Sequence, residues 1–203
     1  MKIICIGRNY ALHNEEMKNP KGEKPIFFLK PETSLLLRNR PFYYPDYSQN
    51  IHHEAELVIR IGKNGKHIRK EFAKSYYTEI ALGLDLTARD LQAECKKKGL
   101  PWEIAKGFDA SAPLSDFIPL SSLPNRENIS FSLLKNGQVV QQGASKEMIF
   151  SFEEIIVHVS RYITLKMGDL IFTGTPAGVG PIAIGDRYEG YIEGQKMLSL
   201  LIK

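Results

Sequence analysis

The sequence predicts a mainly β fold of the α+β class, in which a few helices are scattered among short strands. Three observations support this prediction. Short apolar, β-branched runs recur along the chain and are typical of strands. Asn-Gly pairs at 64–65 and 136–137 are typical of tight β-hairpin turns. The helical segments are too few and too irregular for the βαβ alternation of a doubly wound sheet.

The first half of the chain is expected to contain most of the strands. A first strand at 1–7 leads into a helix over 11–18, and a polar loop with two prolines separates that helix from a strand over 26–29. The run 51–61 is predicted to be one continuous strand, joined by the Asn-Gly hairpin at 64–65 to a polar helical stretch. A further strand is expected over 76–86.

A helix over 87–98 follows, with Thr87 and Asp90 resembling a capping box and Gly99 at its end. The second Asn-Gly pair predicts a hairpin over 131–140. Ser151 and Glu154 predict a capping box for a helix that runs to about residue 163. A strand over 168–173, a glycine-rich loop over 174–180 and two closing strands complete the chain.

Composition is that of an ordinary globular protein, and its 203 residues suit a single domain over 1–203. No apolar run is long enough to cross a membrane, so no membrane partner is expected. The net charge of +4 is mild, and the one basic cluster, 96–98, has no interleaved aromatics, so nucleic-acid binding is not expected. Two cysteines form no disulfide framework, which fits a reducing cytoplasm.

Two strands carry carboxylates that are candidates for a metal site. Side chains alternate along a strand, so His52, Glu54 and Glu56 share one face of 51–61. On the strand 76–86, Asp85 shares a face with Ala81 and Gly83, which leave space around it. Three carboxylates suit Mg²⁺ or Mn²⁺. Two alternatives stay open at this point: a solvated strand edge, and a set that includes His52 and holds Fe or Zn.

His13 and Glu16 stand three residues apart on one helical face and form a plausible water-activating dyad. A simple surface pair is the alternative. Lys106 is either a buried cation that stabilises a developing oxyanion or a surface lysine. The loop 174–180 does not match a P-loop or a dinucleotide fingerprint, although its glycines allow backbone N–H groups to approach an anion.

Seven motifs occur in order along nearly the whole chain. They are Gly-Arg-Asn-Tyr-x-x-His-x-x-Glu (7–16), Lys-Pro-x-Thr (30–33), His-His-Glu-x-Glu-Leu (52–57), Leu-Asp-x-Thr-Ala-Arg-Asp-x-Gln (84–92), Lys-Lys-Lys-Gly-Leu-Pro-Trp (96–102), Ala-Lys-x-Phe (105–108) and Thr-Gly-Thr-Pro-x-Gly-Val-Gly (173–180). This set resembles the fumarylacetoacetate hydrolase family, most closely its short acylpyruvase-type branch. The resemblance implies a mixed β-sandwich roll, a homodimer and a Mg²⁺ or Mn²⁺ cofactor.

The resemblance also implies residue roles. The metal ligands are Glu54, Glu56 and Asp85, with His52 outside the ligand set. The catalytic residues are His13, Glu16 and Lys106, the first two on a mobile lid segment over 11–25. Gln92 and Thr175 match substrate contacts, and Arg89 joins them because it shares a helix face with Gln92. Arg8 and Lys30 fall in matching motifs without an assigned role.

The implied activity is hydrolysis of the carbon–carbon bond of acylpyruvates, which are 2,4-dioxo acids, to pyruvate and a carboxylic acid. Water activated by His13, with Glu16 behind it, attacks the distal carbonyl, and Lys106 stabilises the departing enolate. Three alternatives remain: an oxaloacetate decarboxylase, tautomerase or hydroxymuconate-type isomerase on the same metal, a non-catalytic protein that binds small oxo acids, and a cupin-like iron enzyme that uses His52.

Overall fold

The structure is a computed structural model and describes residues 1–18 and 22–203. The strands of this part are β1 (Ile3–Gly7), β2 (Ile26–Lys30), β3 (Leu35–Leu36), β4 (Ile51–His53), β5 (Ala55–Ile61), β6 (Tyr77–Leu84), β7 (Thr87–Ala88), β8 (Ala112–Pro113), β9 (Ile118–Pro119), β10 (Ser130–Lys135), β11 (Gln138–Ala144), β12 (Leu170–Phe172), β13 (Gly180–Pro181), β14 (Arg187–Ile192) and β15 (Gln195–Leu201).

The α-helices of the same part are α1 (Ala11–Glu16), α2 (Lys70–Ala73), α3 (Arg89–Lys98), α4 (Glu103–Lys106) and α5 (Phe152–Tyr162). Short 3₁₀ helices cover Glu32–Ser34, Lys74–Tyr76, Leu120–Ser122 and Ser145–Glu147. None of the helices in these ranges is long and apolar enough to span a bilayer. The predicted mobile segment over 11–25 contains residues 19–21, which lie outside the described residues, so its mobility stays a prediction.

Two sheets dominate the fold. A mixed six-stranded sheet has the order β2-β1-β12-β5-β6-β9, in which β1 and β12 are parallel and the other pairs are antiparallel. An antiparallel four-stranded sheet has the order β11-β10-β14-β15. Smaller sheets join β13, β4 and β7, and β3 with β8. The predicted mainly β class with a few helices is confirmed.

The six-stranded sheet is covered on both faces by apolar side chains, so Glu56 on its central strand β5 is buried. Leu57 and Ile59 of β5 pack into the larger apolar cluster, whereas Val58, between them, packs into a second cluster with Phe172. This alternation is the one predicted for the strand. The side chain of Glu56 lies on the same face of β5 as that of Val58. A carboxylate on a buried strand needs hydrogen-bond partners or a cation to offset its desolvation.

The prediction of one continuous strand over 51–61 is wrong at Glu54. β4 pairs with β7 and β13, whereas β5 pairs with β6 and β12, so the chain changes sheets between His53 and Ala55. At the break the Glu54 carbonyl accepts a hydrogen bond from the backbone N–H of Asp85 at 2.8 Å. The break therefore brings two of the three predicted ligands together.

Of the two hairpin turns predicted from Asn-Gly pairs, one is present and one is not. Asn136 and Gly137 have φ values of 53° and 82° between β10 and β11, as a type I′ hairpin turn requires. The predicted hairpin at 64–65 is wrong, because the Gly65 backbone exchanges hydrogen bonds of 2.9 and 2.8 Å with Leu165. The connection from β5 to β6 instead runs through α2.

The capping box expected at the start of α3 is also wrong. The Thr87 hydroxyl donates to the carbonyl of Asp85 at 3.0 Å, and the Asp90 carboxylate accepts from the Ser48 hydroxyl at 2.7 Å. Neither side chain caps the helix, which begins at Arg89. Its end at Gly99, with a φ of 67°, is as predicted.

The capping box of α5 is confirmed. The backbone N–H of Glu154 donates to the Ser151 hydroxyl at 3.2 Å, and the Glu154 carboxylate accepts from the Ser151 backbone at 2.9 Å. These two bonds satisfy amide donors that have no partner within the helix.

Candidate active site

The three predicted metal ligands meet in one buried cluster. The pairing of β5 with β6 sets Ala55 opposite Leu84 and Glu56 opposite Gly83, so Glu54 and Asp85 lie at the same end of the two strands. One oxygen from each of Glu54, Glu56 and Asp85 lies within 4.8 Å of the other two. Their exposed fractions are 5%, 2% and 2%, so the alternative of a solvated strand edge is wrong.

Glu56 is the carboxylate with the fewest positive partners. Its Oε2 accepts a hydrogen bond of 2.8 Å from the backbone N–H of Gly174. Burial raises the pKa of Glu56 well above its usual value, and repulsion from Asp85 and Glu54 raises it further. The cluster therefore lacks positive charge on this side.

Lys106 lies at the centre of the cluster, at the end of α4. Its Nζ is 2.8 Å from Glu54 Oε2 and 2.8 Å from Asp85 Oδ2. Burial lowers the pKa of this ammonium, but attraction from Asp85 and Glu54 outweighs burial and holds the pKa above its usual value. Lys106 is thus a buried, charged lysine, and the alternative of a surface lysine is wrong.

Glu54 is held by two cations. Burial alone raises the pKa of Glu54, but Lys106 and Arg89 together hold it well below its usual value. Arg89 Nη2 donates to Glu54 Oε1 at 2.5 Å, and its Nη1 donates to Gln92 Oε1 at 3.0 Å. The predicted shared helix face of Arg89 and Gln92 is confirmed, and Arg89 contacts a predicted metal ligand.

Lys30 is a second buried lysine, and no role is assigned to it from the sequence. Its Nζ is 2.8 Å from Asp85 Oδ1 and donates to the carbonyl and hydroxyl of Ser111 at 3.0 and 2.9 Å. It also donates to the carbonyls of Leu86 and Lys106. A lysine at the end of an apolar strand is usually solvated, so the strand pattern gave no sign of this burial.

His13 and Glu16 are in contact on α1, with the imidazole buried and the carboxylate exposed. His13 is 7% exposed, and its Nδ1 lies 3.3 Å from Glu16 Oε2. Burial lowers the pKa of His13, which keeps the imidazole neutral and able to accept a proton near neutral pH. The predicted contact is confirmed. Because its imidazole is buried, the pair is not a simple surface pair, although Glu16 is exposed.

The glycine-rich loop binds two carboxylates of the protein through its backbone. The N–H of Gly174 donates to Glu56, and the N–H of Gly178 donates to both oxygens of Glu16 at 3.1 and 3.3 Å. At Gly174 the φ is 101° and an added Cβ lies 2.6 Å from the Cβ of Asn9, so glycine is required. The loop thereby connects the carboxylate cluster to α1.

Gln141 is a further residue that the sequence did not single out. Its Nε2 donates to the Thr175 hydroxyl at 2.8 Å, and its Oε1 accepts from the backbone N–H of Ala55 at 2.9 Å. Gln141 therefore fixes the predicted substrate contact Thr175 relative to the backbone between Glu54 and Glu56. No sequence signal marks it, because it lies on a hairpin distant in sequence from both partners.

The two neighbouring histidines lie outside the ligand cluster. The Nε2 of His52 is 2.9 Å from Asn50 Oδ1. His53 contacts the carbonyl of Gly178 at 3.2 Å and the hydroxyl of Tyr188 at 3.3 Å, and burial lowers the pKa of His53 to about 4. Among the described residues the group of possible ligands comprises the three carboxylates, as predicted.

A cavity of about 50 Å³ opens beside the cluster. All of the predicted site residues except Glu16 line it. The lining residues are Ile6, Gly7, Arg8, His13, Met17, Ile26, Phe28, Glu54, Glu56, Asp85, Arg89, Gln92, Lys96, Trp102, Lys106 and Thr175.

The family model described as fumarylacetoacetate (FAA) hydrolase C-terminal matches residues 2–199. The chain belongs to the fumarylacetoacetate hydrolase family. It is 46% identical over 201 residues to a mouse (Mus musculus) protein named oxaloacetate tautomerase FAHD1, mitochondrial, with 99% of this chain and 91% of the mouse protein covered. It is 44% identical to an oxaloacetate decarboxylase, mitochondrial, of Dictyostelium discoideum, with 91% and 85% covered.

Solved structures agree with this family assignment. A fumarylpyruvate hydrolase from Pseudomonas aeruginosa, crystallised in complex with Mn²⁺ and pyruvate, superposes with a TM-score of 0.94 at 39% identity. The match covers 100% of this chain and 89% of that one. The expected fumarylacetoacetate hydrolase fold is therefore confirmed.

The residues of this family member fit a divalent metal ion. The cluster offers three carboxylate oxygens, the ligand type that Mg²⁺ and Mn²⁺ prefer. Glu56 has no cationic partner among the described residues, and a divalent ion would offset the repulsion that raises its pKa. Three protein ligands also leave coordination positions for a substrate.

Proposed function

We propose that the protein is a metal-dependent hydrolase that cleaves the carbon–carbon bond of acylpyruvates. The products are pyruvate and a carboxylic acid. The single observation that carries this proposal is the buried His13 imidazole, which contacts Glu16 and lines the same cavity as the three carboxylates. A reaction that adds water needs a general base beside the substrate, and a buried neutral imidazole supplies one.

Glu54, Glu56 and Asp85 would hold Mg²⁺ or Mn²⁺. When bound, such an ion polarises a carbonyl oxygen and stabilises negative charge on an enolate. Lys106 belongs to the same cluster and adds a fixed positive charge, which favours an anionic oxo acid in the cavity.

His13 takes the proton from water as the water oxygen attacks the distal carbonyl carbon. Glu16, 3.3 Å from the imidazole, stabilises the imidazolium that forms. The bond between the former carbonyl carbon and the adjacent methylene then breaks, and its electron pair passes to the pyruvate fragment as an enolate. Lys106 stabilises the enolate until a proton returns to its carbon, so one water is consumed for each bond cleaved.

A second candidate function is decarboxylation or tautomerisation of oxaloacetate. It is favoured by the names of the two curated relatives, an oxaloacetate tautomerase and an oxaloacetate decarboxylase. Decarboxylation also forms a pyruvate enolate, and it needs no attacking water. The two candidates therefore share the carboxylates and Lys106 and differ in their need for His13.

The test is a panel of acetylpyruvate, longer acylpyruvates and oxaloacetate, assayed with Mg²⁺, Mn²⁺ and EDTA on the wild type and on His13→Gln. We expect metal-dependent acylpyruvate hydrolysis that falls by at least about a hundredfold in His13→Gln, as general-base loss commonly does. Unchanged acylpyruvate hydrolysis in that variant would show that the dyad does not activate water.

Turnover of oxaloacetate far above that of every acylpyruvate, retained in His13→Gln, would favour the second function instead. Binding of Mn²⁺ and pyruvate with no turnover of any substrate would identify a binding protein. The homodimer and the cytoplasmic location expected from the sequence remain predictions.

A further inference from the structure

The side chains that line the cavity carry more positive than negative charge, and a bound metal ion would add to the excess. Four basic side chains, Arg8, Arg89, Lys96 and Lys106, line it together with the three carboxylates. Lys106 and Arg89 are paired with carboxylates at 2.5 to 2.8 Å. Within residues 1–18 and 22–203, the side chains of Arg8 and Lys96 make no hydrogen bond or ion pair. These two cations are therefore available to a ligand.

Lys96 belongs to the same helix face as the predicted substrate contacts. Arg89, Gln92 and Lys96 follow a spacing of three and then four residues on α3, which places all three toward the cavity. The ammonium of Lys96 lies 5.7 Å from the ring centroid of Trp102, another lining residue. The charge of Lys96 therefore lies beside an aromatic side chain of the cavity wall.

Arg8 approaches the same space from the end of β1. Its backbone has a φ of 63°, in the left-handed region that non-glycine residues seldom adopt and that often marks functional sites. The carbonyl of Arg8 accepts a hydrogen bond of 3.1 Å from the Asn14 side chain, which holds this turn against α1. Backbone strain is thus tolerated where it places an arginine beside the cavity.

Arg8 and Lys96 also repel each other. Burial lowers the pKa of Lys96, and the nearby positive charges of Arg89, Arg8 and Lys106 lower it further. Cations brought together without a counter-ion oppose folding, so their convergence at a cavity is typical of an anion-binding site.

We propose that Arg8 and Lys96 form a subsite for the second carboxylate of a dicarboxylic 2-oxo acid. The inference rests on the proposed function and narrows its substrate class. With a divalent ion added, the lining charges sum to three positive, which one carboxylate of a substrate neutralises only in part. Apolar side chains that line the same cavity include Phe28, Trp102 and Met17, which suit the carbon chain between the two carboxylates.

The test compares kcat/KM for a diacid, oxaloacetate or fumarylpyruvate, with that for acetylpyruvate, which has one carboxylate. The variants are Lys96→Met and Arg8→Met, with Lys97→Met as the matched control, because Lys97 is an exposed neighbour on α3 that does not line the cavity. We expect the diacid-to-acetylpyruvate ratio to fall at least about tenfold in each subsite variant, the usual effect of losing a charge-assisted hydrogen bond. The control ratio should stay within about twofold of the wild type.

A second measurement keeps this inference separate from the proposed function. Calorimetric titration of the Mn²⁺-loaded protein with pyruvate and with 2-oxoglutarate, a non-scissile diacid, reports binding without turnover. We expect 2-oxoglutarate to bind the wild type more tightly than pyruvate and to lose that advantage in Lys96→Met. An unchanged advantage in both variants, or equal weakening of both ligands, would overturn the subsite even if acylpyruvate hydrolysis is confirmed.

Discussion

Asp85 shows how individual residues hold the site together. Its two oxygens each lie 2.8 Å from a buried lysine, Lys30 on one side and Lys106 on the other. A buried carboxylate is tolerated only when such partners offset its desolvation, and the loss of one partner leaves a charge that nothing compensates.

Replacement of Lys30 by Met should therefore destabilise the protein strongly. The variant removes the ion-pair partner of Asp85 Oδ1 and one of the two donors to the Ser111 carbonyl, and we expect a loss of about 3–5 kcal/mol in the free energy of unfolding. Urea denaturation measures it. The control is Lys196→Met, which removes an exposed pair with Glu189 and should change the midpoint little. Equal effects of the two substitutions would contradict the role of Lys30.

The acid limb of the pH–rate profile should report His13. Burial lowers its pKa from 6.5, so the proton-accepting form persists below pH 6.5 and is lost as the pH falls through the lowered pKa. We expect kcat/KM for acetylpyruvate to fall tenfold per pH unit below a midpoint under 6.5. The Glu16 hydrogen bond raises this pKa, so Glu16→Gln should move the midpoint lower still. A midpoint above 6.5, or one that Glu16→Gln does not move, would argue against His13 as the base.

For individual residues, the sequence predicts which side chains belong to the site better than it predicts the buried partners that hold them. Alternation along strands and helix faces was enough to group Glu54 with Glu56 and His13 with Glu16. It was not enough to identify Lys30 or Gln141. The partners of Lys30 and Gln141 lie on segments far away along the chain, and only the packed fold brings them together.

The glycine-rich loop is the element that joins the two halves of the site. Its N–H groups bind Glu56 at one end and Glu16 at the other, so loop geometry affects both the carboxylate cluster and the predicted base. The Cβ-free backbone at Gly174 is what permits the approach to Asn9.

Gly174→Ala should therefore lower the free energy of unfolding by more than backbone strain alone would. The matched control is Gly185→Ala, where φ is 94° but no atom lies within 4 Å of an added Cβ. We expect the control to lose about 1–3 kcal/mol of unfolding free energy from strain. Gly174→Ala should lose clearly more and should also weaken Mn²⁺ binding in calorimetry, because the Gly174 N–H to Glu56 is displaced. Equal losses in both variants, with Mn²⁺ affinity intact, would contradict this role.

Element boundaries show where local sequence signals fail. The same Asn-Gly dipeptide forms a hairpin at 136–137 and none at 64–65, because Gly65 pairs with Leu165, a hundred residues later. Thr87 has a capping sequence, yet its hydroxyl binds the Asp85 carbonyl in the site. In both cases a long-range or site contact outweighs a local preference, and a single sequence gives no measure of that competition.

The whole molecule assembles the site from both halves of the chain. Its residues come from the end of β1, from α1, from the β4–β5 break, from the end of β6, from α3 and α4, and from the loop after β12. The ordered motifs could predict that these pieces belong to one site, because each carries chemistry of its own. How the strand break, the lysines and the loop arrange them depends on the packing of both large sheets.

The repulsion between Glu56 and the other two carboxylates, which no ion pair of Glu56 offsets among the described residues, should make folding stability depend on metal. The folded chain brings three carboxylates within 4.8 Å and the unfolded chain does not, so a bound divalent ion stabilises the folded state by mass action. At a hundred times its Kd this is about 2.7 kcal/mol, which for a chain of this size raises Tm by roughly 5–10 °C. Thermal denaturation with Mg²⁺ or Mn²⁺ against EDTA measures the shift.

Glu56→Gln removes both a ligand and a repelled charge, so we expect it to be more stable than the wild type in EDTA and to gain little from metal. A wild-type Tm that EDTA leaves unchanged, or a full metal response in Glu56→Gln, would show that the carboxylates do not form a metal site.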